Sequence, residues 1–252
     1  MKISSRGKVA LAFALLFACV IGCKSGKNSV ASSNDKSDPN KNTSSSSSST
    51  TTTKSAPPDI AGKYSVTGTN ENGSAYKGDL EVIKHGDVYQ FRWSGGATYD
   101  GVGVQLGDVI AVAFTTGENG KGCGVVDYAI ANDGANLDGV WGYWGTNEKG
   151  TEKATRTVGA GLIGAYDATG ANPDGKQYKV QIAVAPAGSG YKFVWSNNSE
   201  GFGIRRGDNV AVGIGGSRCG FVSYEVKSDG SLDGVWGGYG SEKTGTEKAT
   251  KQ

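Results

Sequence analysis

The sequence has little of the chemistry that most catalytic and metal sites require. Its 252 residues include one histidine, His85, and four cysteines. A repeated Cys–His pair is therefore excluded, and a thiol or imidazole metal site lacks ligands. No window of ten or more residues shows the i, i+3, i+4 spacing of an amphipathic helix. These absences argue against a helical fold and a cysteine nucleophile, and we predict neither a metal nor a cofactor.

Long hydrophobic runs are scarce as well. The apolar run from Val9 to Ile21 is about 13 residues, short of the ~20 that a membrane-spanning helix needs. Three basic residues precede it, which is the layout of a signal peptide over residues 1–22. The run ends in Val20-Ile21-Gly22-Cys23, which resembles the lipobox of bacterial lipoproteins. That resemblance implies a lipid on Cys23 and attachment to a membrane. The alternative is an ordinary secretory signal with an incidental cysteine.

The residue after Cys23 is Lys24, and no Asp stands beside the cysteine. The pattern that retains some lipoproteins at the inner membrane is therefore missing. The resemblance thus favours the outer membrane or surface of a bacterial cell envelope as the location.

A surplus of basic charge is also absent. Without residues 1–22 the chain has 23 basic and 24 acidic residues. Such a balance provides no basic surface for a nucleic acid, so we expect no nucleic-acid partner. Residues 23–58 are rich in Ser, Thr, Asn and Lys and lack aromatic residues, which predicts a disordered linker.

From Asp59 onward the chain repeats itself. The stretch LDGVWGYWGTNEKGTEKAT at 137–155 returns as LDGVWGGYGSEKTGTEKAT at 232–250. A period near 100 residues suits a small domain copied in tandem better than a solenoid unit. We therefore predict two domains, at 59–156 and 161–252, each closing its own core.

Within each copy the pattern is that of β-strands. YQFRW at 89–93 and YKFVW at 191–195 alternate aromatic and other side chains, which places Tyr89 and Trp93 on one face of a strand. Turn dipeptides such as Asn72-Gly73 and Asp174-Gly175 recur every eight to twelve residues and predict tight hairpins. The fold predicted is all-β, with two antiparallel barrels of about eight strands each, up-and-down in the manner of lipocalins and avidins, or a sandwich as the alternative. Strands of the first copy are expected near 60–68, 75–84, 87–94, 98–105, 109–115, 123–131, 136–143 and 150–155.

Aromatic residues are the candidates for ligand binding. They recur at equivalent positions in both copies. There they either fill the barrel or line its mouth, where they would bind a sugar or an apolar ligand. The candidate residues are Trp93, Trp141, Trp195, Trp236, Tyr89 and Tyr191.

Cysteines and carboxylates leave further alternatives. Cys123 and Cys219 occupy the same position in the two copies, so they form a disulfide or remain two buried thiols. Glu152 and Glu247, with Asp138 and Asp233, would serve a glycoside hydrolase only if two of the carboxyls flanked one cleft. The sequence GTEK around each glutamate favours a solvated strand end instead. The tripeptide Arg206-Gly207-Asp208 matches an integrin-binding motif, although a turn alone explains Gly-Asp.

The repeat itself is similar to one in exported bacterial lipoproteins that are often named fibronectin-binding. The residues that carry this resemblance include G-x-Y-x-x-x-G-x-N-x-x-G-x-x-Y, Y-x-F-x-W, C-G-x-V-x-Y and L-D-G-V-W…G-T-E, and it covers nearly all of 60–250. It implies a non-enzymatic, lipid-anchored protein that presents two β-domains for adhesion to a matrix protein or glycan. The alternatives are a lipocalin-like carrier of a small apolar ligand and a structural envelope lipoprotein, with a glycoside hydrolase after them.

Overall fold

The computed structural model describes residues 58–117 and 119–252. The predicted signal peptide at 1–22, the lipidated Cys23 and nearly all of the linker at 23–58 lie outside these residues. Strands make up most of the described chain, joined by short turns and one 3₁₀ turn at Gly216–Arg218. The prediction of an all-β fold is confirmed.

Sixteen antiparallel strands form two closed barrels of eight strands each. Barrel 1 consists of β1 (Gly62–Thr69), β2 (Ala75–His85), β3 (Val88–Ser94), β4 (Tyr99–Leu106), β5 (Val109–Thr116), β14 (Gly220–Val226), β15 (Leu232–Gly237) and β16 (Gly245–Lys251). Barrel 2 consists of β6 (Gly124–Ala131), β7 (Asn136–Tyr143), β8 (Gly150–Ala160), β9 (Ile163–Ala171), β10 (Gln177–Ala187), β11 (Gly190–Trp195), β12 (Glu200–Arg206) and β13 (Asn209–Ile214).

Barrel 2 is inserted into barrel 1 between β5 and β14. It is an unbroken meander that closes where β13 pairs with β6, as in Val212 opposite Val126. Barrel 1 closes its wall by pairing β5 with β14, as in Val112 opposite Val222. The sequence repeats therefore do not coincide with the barrels, because each barrel takes five strands from one copy and three from the other.

The prediction that the copies at 59–156 and 161–252 each close a barrel of their own is thus wrong, whereas the prediction of two eight-stranded barrels is confirmed. The physical reason is that equivalent strands carry nearly the same residues. β14 presents to β5 the same strand edge that β6 would present. Exchanging equivalent strands between the copies therefore costs little free energy of pairing.

The turn dipeptides behave as predicted. Gly73 and Gly175 have φ of 84° and 81°, a region that other residues rarely adopt. In each turn the backbone N–H of the glycine donates to an asparagine carbonyl oxygen three residues earlier, Asn70 or Asn172, at 2.8 Å. The hairpin between β1 and β2 and its counterpart between β9 and β10 are consequently tight.

Each barrel has its own apolar core, and one end of each core is sealed. Ile60 and Leu162, equivalent residues just before β1 and β9, are 2% and 3% exposed. Their carbonyl oxygens accept hydrogen bonds from the Tyr64 and Tyr166 hydroxyls at 2.6 and 3.0 Å. These contacts place an apolar plug at the ends of the barrels where β1 and β9 begin.

A third apolar cluster joins the barrels. It includes Val88, Val104 and Ala111 of barrel 1 and Val125 and Ala211 of barrel 2. Around it, matching loops exchange backbone hydrogen bonds: the N–H of Asp87 donates to the carbonyl oxygen of Asn147 at 2.8 Å, and that of Ser189 to that of Ser241 at 2.9 Å.

Candidate functional site: two lumenal cavities with a buried glutamate

The sequence GTEKAT places a glutamate inside each barrel. On β8 and β16 alternate residues face the lumen, so Glu152 and Glu247 point inward while the lysines that follow them point outward. Glu152 is 4% exposed and Glu247 is 6% exposed. The expectation of solvated strand ends is therefore wrong, because alternation along the strand groups each glutamate with the buried alanine two residues later.

Three neutral donors hold the carboxylate of Glu247. Its Oε1 accepts hydrogen bonds from the Tyr224 hydroxyl and, at 2.9 Å, from the Trp93 indole N–H. Its Oε2 accepts one from the Tyr76 hydroxyl at 2.8 Å. The donors come from β14, β3 and β2, so the glutamate ties four strands together across the lumen.

The same arrangement is repeated in barrel 2. Oε1 of Glu152 accepts hydrogen bonds from the Tyr128 hydroxyl and, at 3.1 Å, from the Trp195 indole N–H. Oε2 accepts one from the Tyr178 hydroxyl at 3.0 Å. All four members of the cluster are duplicated in sequence, so the duplication preserves a polar cluster as well as a fold.

The phenols of these clusters keep their protons. Burial, and then the negative charge of the adjacent glutamate, raise the pKa of Tyr76 and Tyr224 well above the ordinary value. The same causes, in the same order, raise the pKa of Tyr128 and Tyr178. Each tyrosine is therefore a neutral donor at physiological pH.

A cavity opens beside each glutamate, at the barrel end away from the plug. In barrel 1 it measures about 210 Å³. The predicted residues Trp93 and Trp236 line it, together with Val66, Tyr76, Tyr99, Phe114 and Glu247. Apolar surface predominates in its wall, and five of the residues that line it are aromatic.

The cavity of barrel 2 measures about 360 Å³. The predicted residues Trp141 and Trp195 line it, together with Val180, Tyr143, Tyr178, Ser199, Ile214 and Glu152. Ser199 and Ile214 occupy the positions that Tyr99 and Phe114 hold in the first copy. Smaller side chains at these two places enlarge the space, whereas Val180 and Tyr143 occupy positions where barrel 1 has Gly78 and Gly238.

Two of the six aromatic candidates lie away from the cavities. Tyr89 is 5% exposed in the barrel 1 core, and its hydroxyl donates to Oε1 of Gln105 at 3.3 Å. Tyr191 packs partly buried against the barrel 2 core. Both are on the inward face, as predicted, but they belong to the half of the barrel that is filled. Their assignment to ligand binding is therefore not supported by their position.

The indole nitrogens of Trp141 and Trp236 differ from those of the other two tryptophans. Both are buried, and neither has a hydrogen-bond partner in the described part of the chain. Each ring lies over a glycine of the next strand, Gly150 or Gly245, where a Cβ would overlap it. Glycine at these positions makes room for the tryptophan that forms the cavity wall.

Cys123 and Cys219 form a disulfide, with Cα atoms 5.9 Å apart. Of the two alternatives, paired and reduced, the structure has the paired one. Each cysteine lies on the segment that carries the chain from one barrel to the other. The bond therefore fastens together the two places where the barrels exchange strands.

The remaining acidic candidates do not converge. Glu152 and Glu247 lie in different barrels, and Asp138 and Asp233 project outward. Asp138 forms an ion pair with Lys153 at 3.1 Å, and Asp233 forms one with Arg206 at 3.1 Å. No two of these four carboxyls therefore flank one cleft, as a glycoside hydrolase would require.

Arg206 is similarly occupied. Its guanidinium contacts the Glu225 carboxylate at 3.4 Å and that of Asp233, and donates to backbone carbonyl oxygens. The arginine of the Arg206-Gly207-Asp208 tripeptide lies on β12 of barrel 2 and is therefore engaged with β14 and β15 of barrel 1.

No cluster of three or more His, Cys, Asp or Glu side chains suited to a metal ion occurs within 58–117 and 119–252. Among those same residues there is no helix whose length and apolar character would let it cross a bilayer. Comparison with protein-family models, with curated proteins and with solved structures finds no match. The resemblance to the repeat named fibronectin-binding stays a prediction, and the geometry of the two cavities is the guide to function.

Proposed function

We propose that this protein is a non-enzymatic binding protein of the bacterial envelope that holds a small, largely apolar ligand in the lumen of each barrel. The observation that carries the proposal is the pair of equivalent cavities, each aromatic in its wall and each with one buried polar cluster. Ligand sites in proteins have this composition, with apolar walls and a few fixed polar groups. The lipobox-like sequence ending at Cys23 supports the envelope location and an anchor in the membrane.

The proposal places the carrier hypothesis ahead of adhesion and of a structural role. A barrel built only for stability would gain by filling its lumen, because empty space forfeits packing contacts. Both barrels instead leave space beside a buried charge. Adhesion to a matrix protein or glycan has no comparable observation in its favour among the described residues.

Saturable binding of small aromatic probes to the purified full-length protein tests the proposal. Binding of benzylamine, benzyl alcohol, benzoate and indole would be followed by isothermal titration and tryptophan fluorescence. Val66→Phe and Val180→Phe fill the cavities of barrels 1 and 2, so each should abolish binding to its own barrel. Val158→Phe makes the same change at a side chain that is 69% exposed and should leave binding intact.

Failure of every probe to saturate the protein up to millimolar concentration would overturn the proposal. Binding that survives both cavity-filling changes would also contradict it, because the ligand would then lie outside the lumen.

A further inference from the structure

The glutamate in each cavity has one hydrogen-bond acceptor position that its three donors leave unoccupied. An ionised carboxylate offers about four lone-pair positions to donors. Tyr224, Trp93 and Tyr76 occupy three of those on Glu247, two on Oε1 and one on Oε2. Oε2 therefore keeps an acceptor position, and Glu247 is part of the cavity wall.

No cation in the described part of the chain balances the charge of either glutamate. None of the ion pairs among the described residues includes Glu152 or Glu247. Of the described residues that line the barrel 2 cavity, the glutamate is the only Asp, Glu, Lys, Arg or His. In barrel 1, Lys77 and Asp79 stand at the rim, both exposed and of opposite sign. A buried charge with only neutral partners favours a cation in the adjacent space.

Aromatic rings provide a second source of attraction for a cation. In barrel 1 the rings of Tyr76 and Phe114 lie 6.4 and 6.5 Å from that of Trp236, edge to face. Tyr99 packs edge to face on Phe114 at 5.5 Å. A cage of such rings attracts a cation through the negative charge density of its ring faces, more strongly where water is excluded.

On this basis, and resting on the proposed function, we propose that the cavities recognise ligands with a primary ammonium group on an apolar body. The ammonium donates to Oε2 of Glu247 or Glu152, and the apolar body lies between the aromatic walls. The free acceptor position favours an N–H donor over a quaternary ammonium.

The two cavities share the recognised group and differ in the size of ligand that they take. The glutamate, the two tyrosines and the tryptophan that surround the ammonium are the same in both. The wall differs, since Tyr99 and Phe114 narrow the first cavity where Ser199 and Ile214 leave the second one wide. Barrel 2 therefore accepts larger amines than barrel 1.

The preference for a cation can be tested by isothermal titration of the full-length protein with three probes that share one shape and differ in charge. Benzylamine should bind at least about tenfold more tightly than benzyl alcohol, and benzoate should not bind, because a carboxylate–ammonium bond and ring faces together favour the cation by more than ~1.4 kcal/mol. Glu247→Gln and Glu152→Gln should each remove that preference in their own barrel. The matched controls Glu242→Gln and Glu148→Gln change the same charge at exposed positions near each mouth and should keep it.

Equal affinity for benzylamine and benzyl alcohol in the unchanged protein would overturn the cation inference and leave the proposed function standing. Absence of binding by all three probes would defeat both. Because the comparison of probes needs no variant, it decides the matter even if a glutamine variant fails to fold.

Exchange of the wall residues tests the size difference. Tryptamine should bind barrel 2 and be excluded from barrel 1. Tyr99→Ser with Phe114→Ile should admit it to barrel 1, and Ser199→Tyr with Ile214→Phe should exclude it from barrel 2. Tryptamine binding that follows neither exchange would contradict the assignment of size selectivity to these positions.

Discussion

Replacement of Asp127 by Asn should stabilise the protein above neutral pH and remove much of its pH dependence. Asp127 is fully buried on the outer face of β6, the same face that presents Val125 to the cluster between the barrels. Among the described residues its carboxylate accepts hydrogen bonds only from the side-chain amide of Asn209, at 3.3 and 3.4 Å. Burial raises the pKa of Asp127 from 3.8 to about 7, and the bond from Asn209 lowers it only in part.

The raised pKa determines the sign and size of the effect. Between pH 3.8 and pH 7 the unfolded chain has lost this proton while the folded chain keeps it, so the free energy of unfolding falls as pH rises. At 1.36 kcal/mol for each pKa unit, the full loss is about 4 kcal/mol, of which about 2.5 kcal/mol falls between pH 5 and pH 8. Stability from this group is complete below the unfolded pKa and is lost as pH rises through the folded one.

Urea denaturation at pH 5, 6, 7 and 8 measures this loss. Over that interval the free energy of unfolding should fall by about 2.5 kcal/mol more in the unchanged protein than in Asp127→Asn. The variant should be the more stable of the two at pH 8. Asp138→Asn, at an exposed site on the neighbouring strand β7, is the matched control and should leave the pH dependence unchanged. Parallel pH profiles for the unchanged protein and Asp127→Asn would refute the argument from burial.

Three other changes have expected effects on stability, each measurable by urea denaturation. Loss of the Cys123–Cys219 bond by reduction should lower the free energy of unfolding by about 4 to 5 kcal/mol, since the bond closes a loop spanning a separation of 96 residues. Tyr224→Phe removes a charge-assisted hydrogen bond to buried Glu247 and should cost about 1.5 to 3 kcal/mol. Gly245→Ala forces a methyl group into the indole ring of the neighbouring strand and should cost about 1 to 3 kcal/mol.

Each of these changes has a control within the chain. A reducing agent should not affect a variant with both cysteines replaced by alanine, and an equal response would point to another cause. Tyr239→Phe changes a tyrosine that is 56% exposed and should be neutral. Gly96→Ala adds a methyl group where no atom of residues 58–117 and 119–252 lies within 4 Å, so a loss equal to that of Gly245→Ala would contradict the packing argument.

The local features of the fold could be predicted because they are written in short stretches of sequence. Alternation in YQFRW fixes which side chains of β3 face the lumen, and Asn-Gly or Asp-Gly fixes where strands turn. Eight strands per repeat and closure into barrels follow from these signals. All of them depend on residues that are neighbours in the chain.

The exchange of strands between the repeats could not be predicted in the same way. β5 carries AVAF where β13 carries AVGI, and β6 carries GVVDY where β14 carries GFVSY. Pairing β5 with β6 or with β14 satisfies the same alternation and the same register. The sequence therefore predicts the contacts but leaves open which copy supplies them.

The glutamates were missed because GTEKAT is rich in charge and lies near a turn. A signal was present, since alternation along the strand places Glu152 with Ala154, and the glutamate is duplicated together with its tyrosine and tryptophan partners. Tyr89 and Tyr191 show the opposite error. Alternation correctly predicts the face of the strand on which a side chain lies. It does not predict the position of that side chain along the barrel axis, which only the pairing between strands determines.

The stoichiometry of benzylamine binding tests the central claim most directly, because each barrel is held to contain one cationic site built on its own glutamate. Isothermal titration should give two tight sites in the unchanged chain, one in Glu247→Gln, one in Glu152→Gln and none in the double variant, where benzylamine should bind no more tightly than benzyl alcohol. Two undiminished sites in the double variant, or a single site that both changes abolish together, would contradict the account.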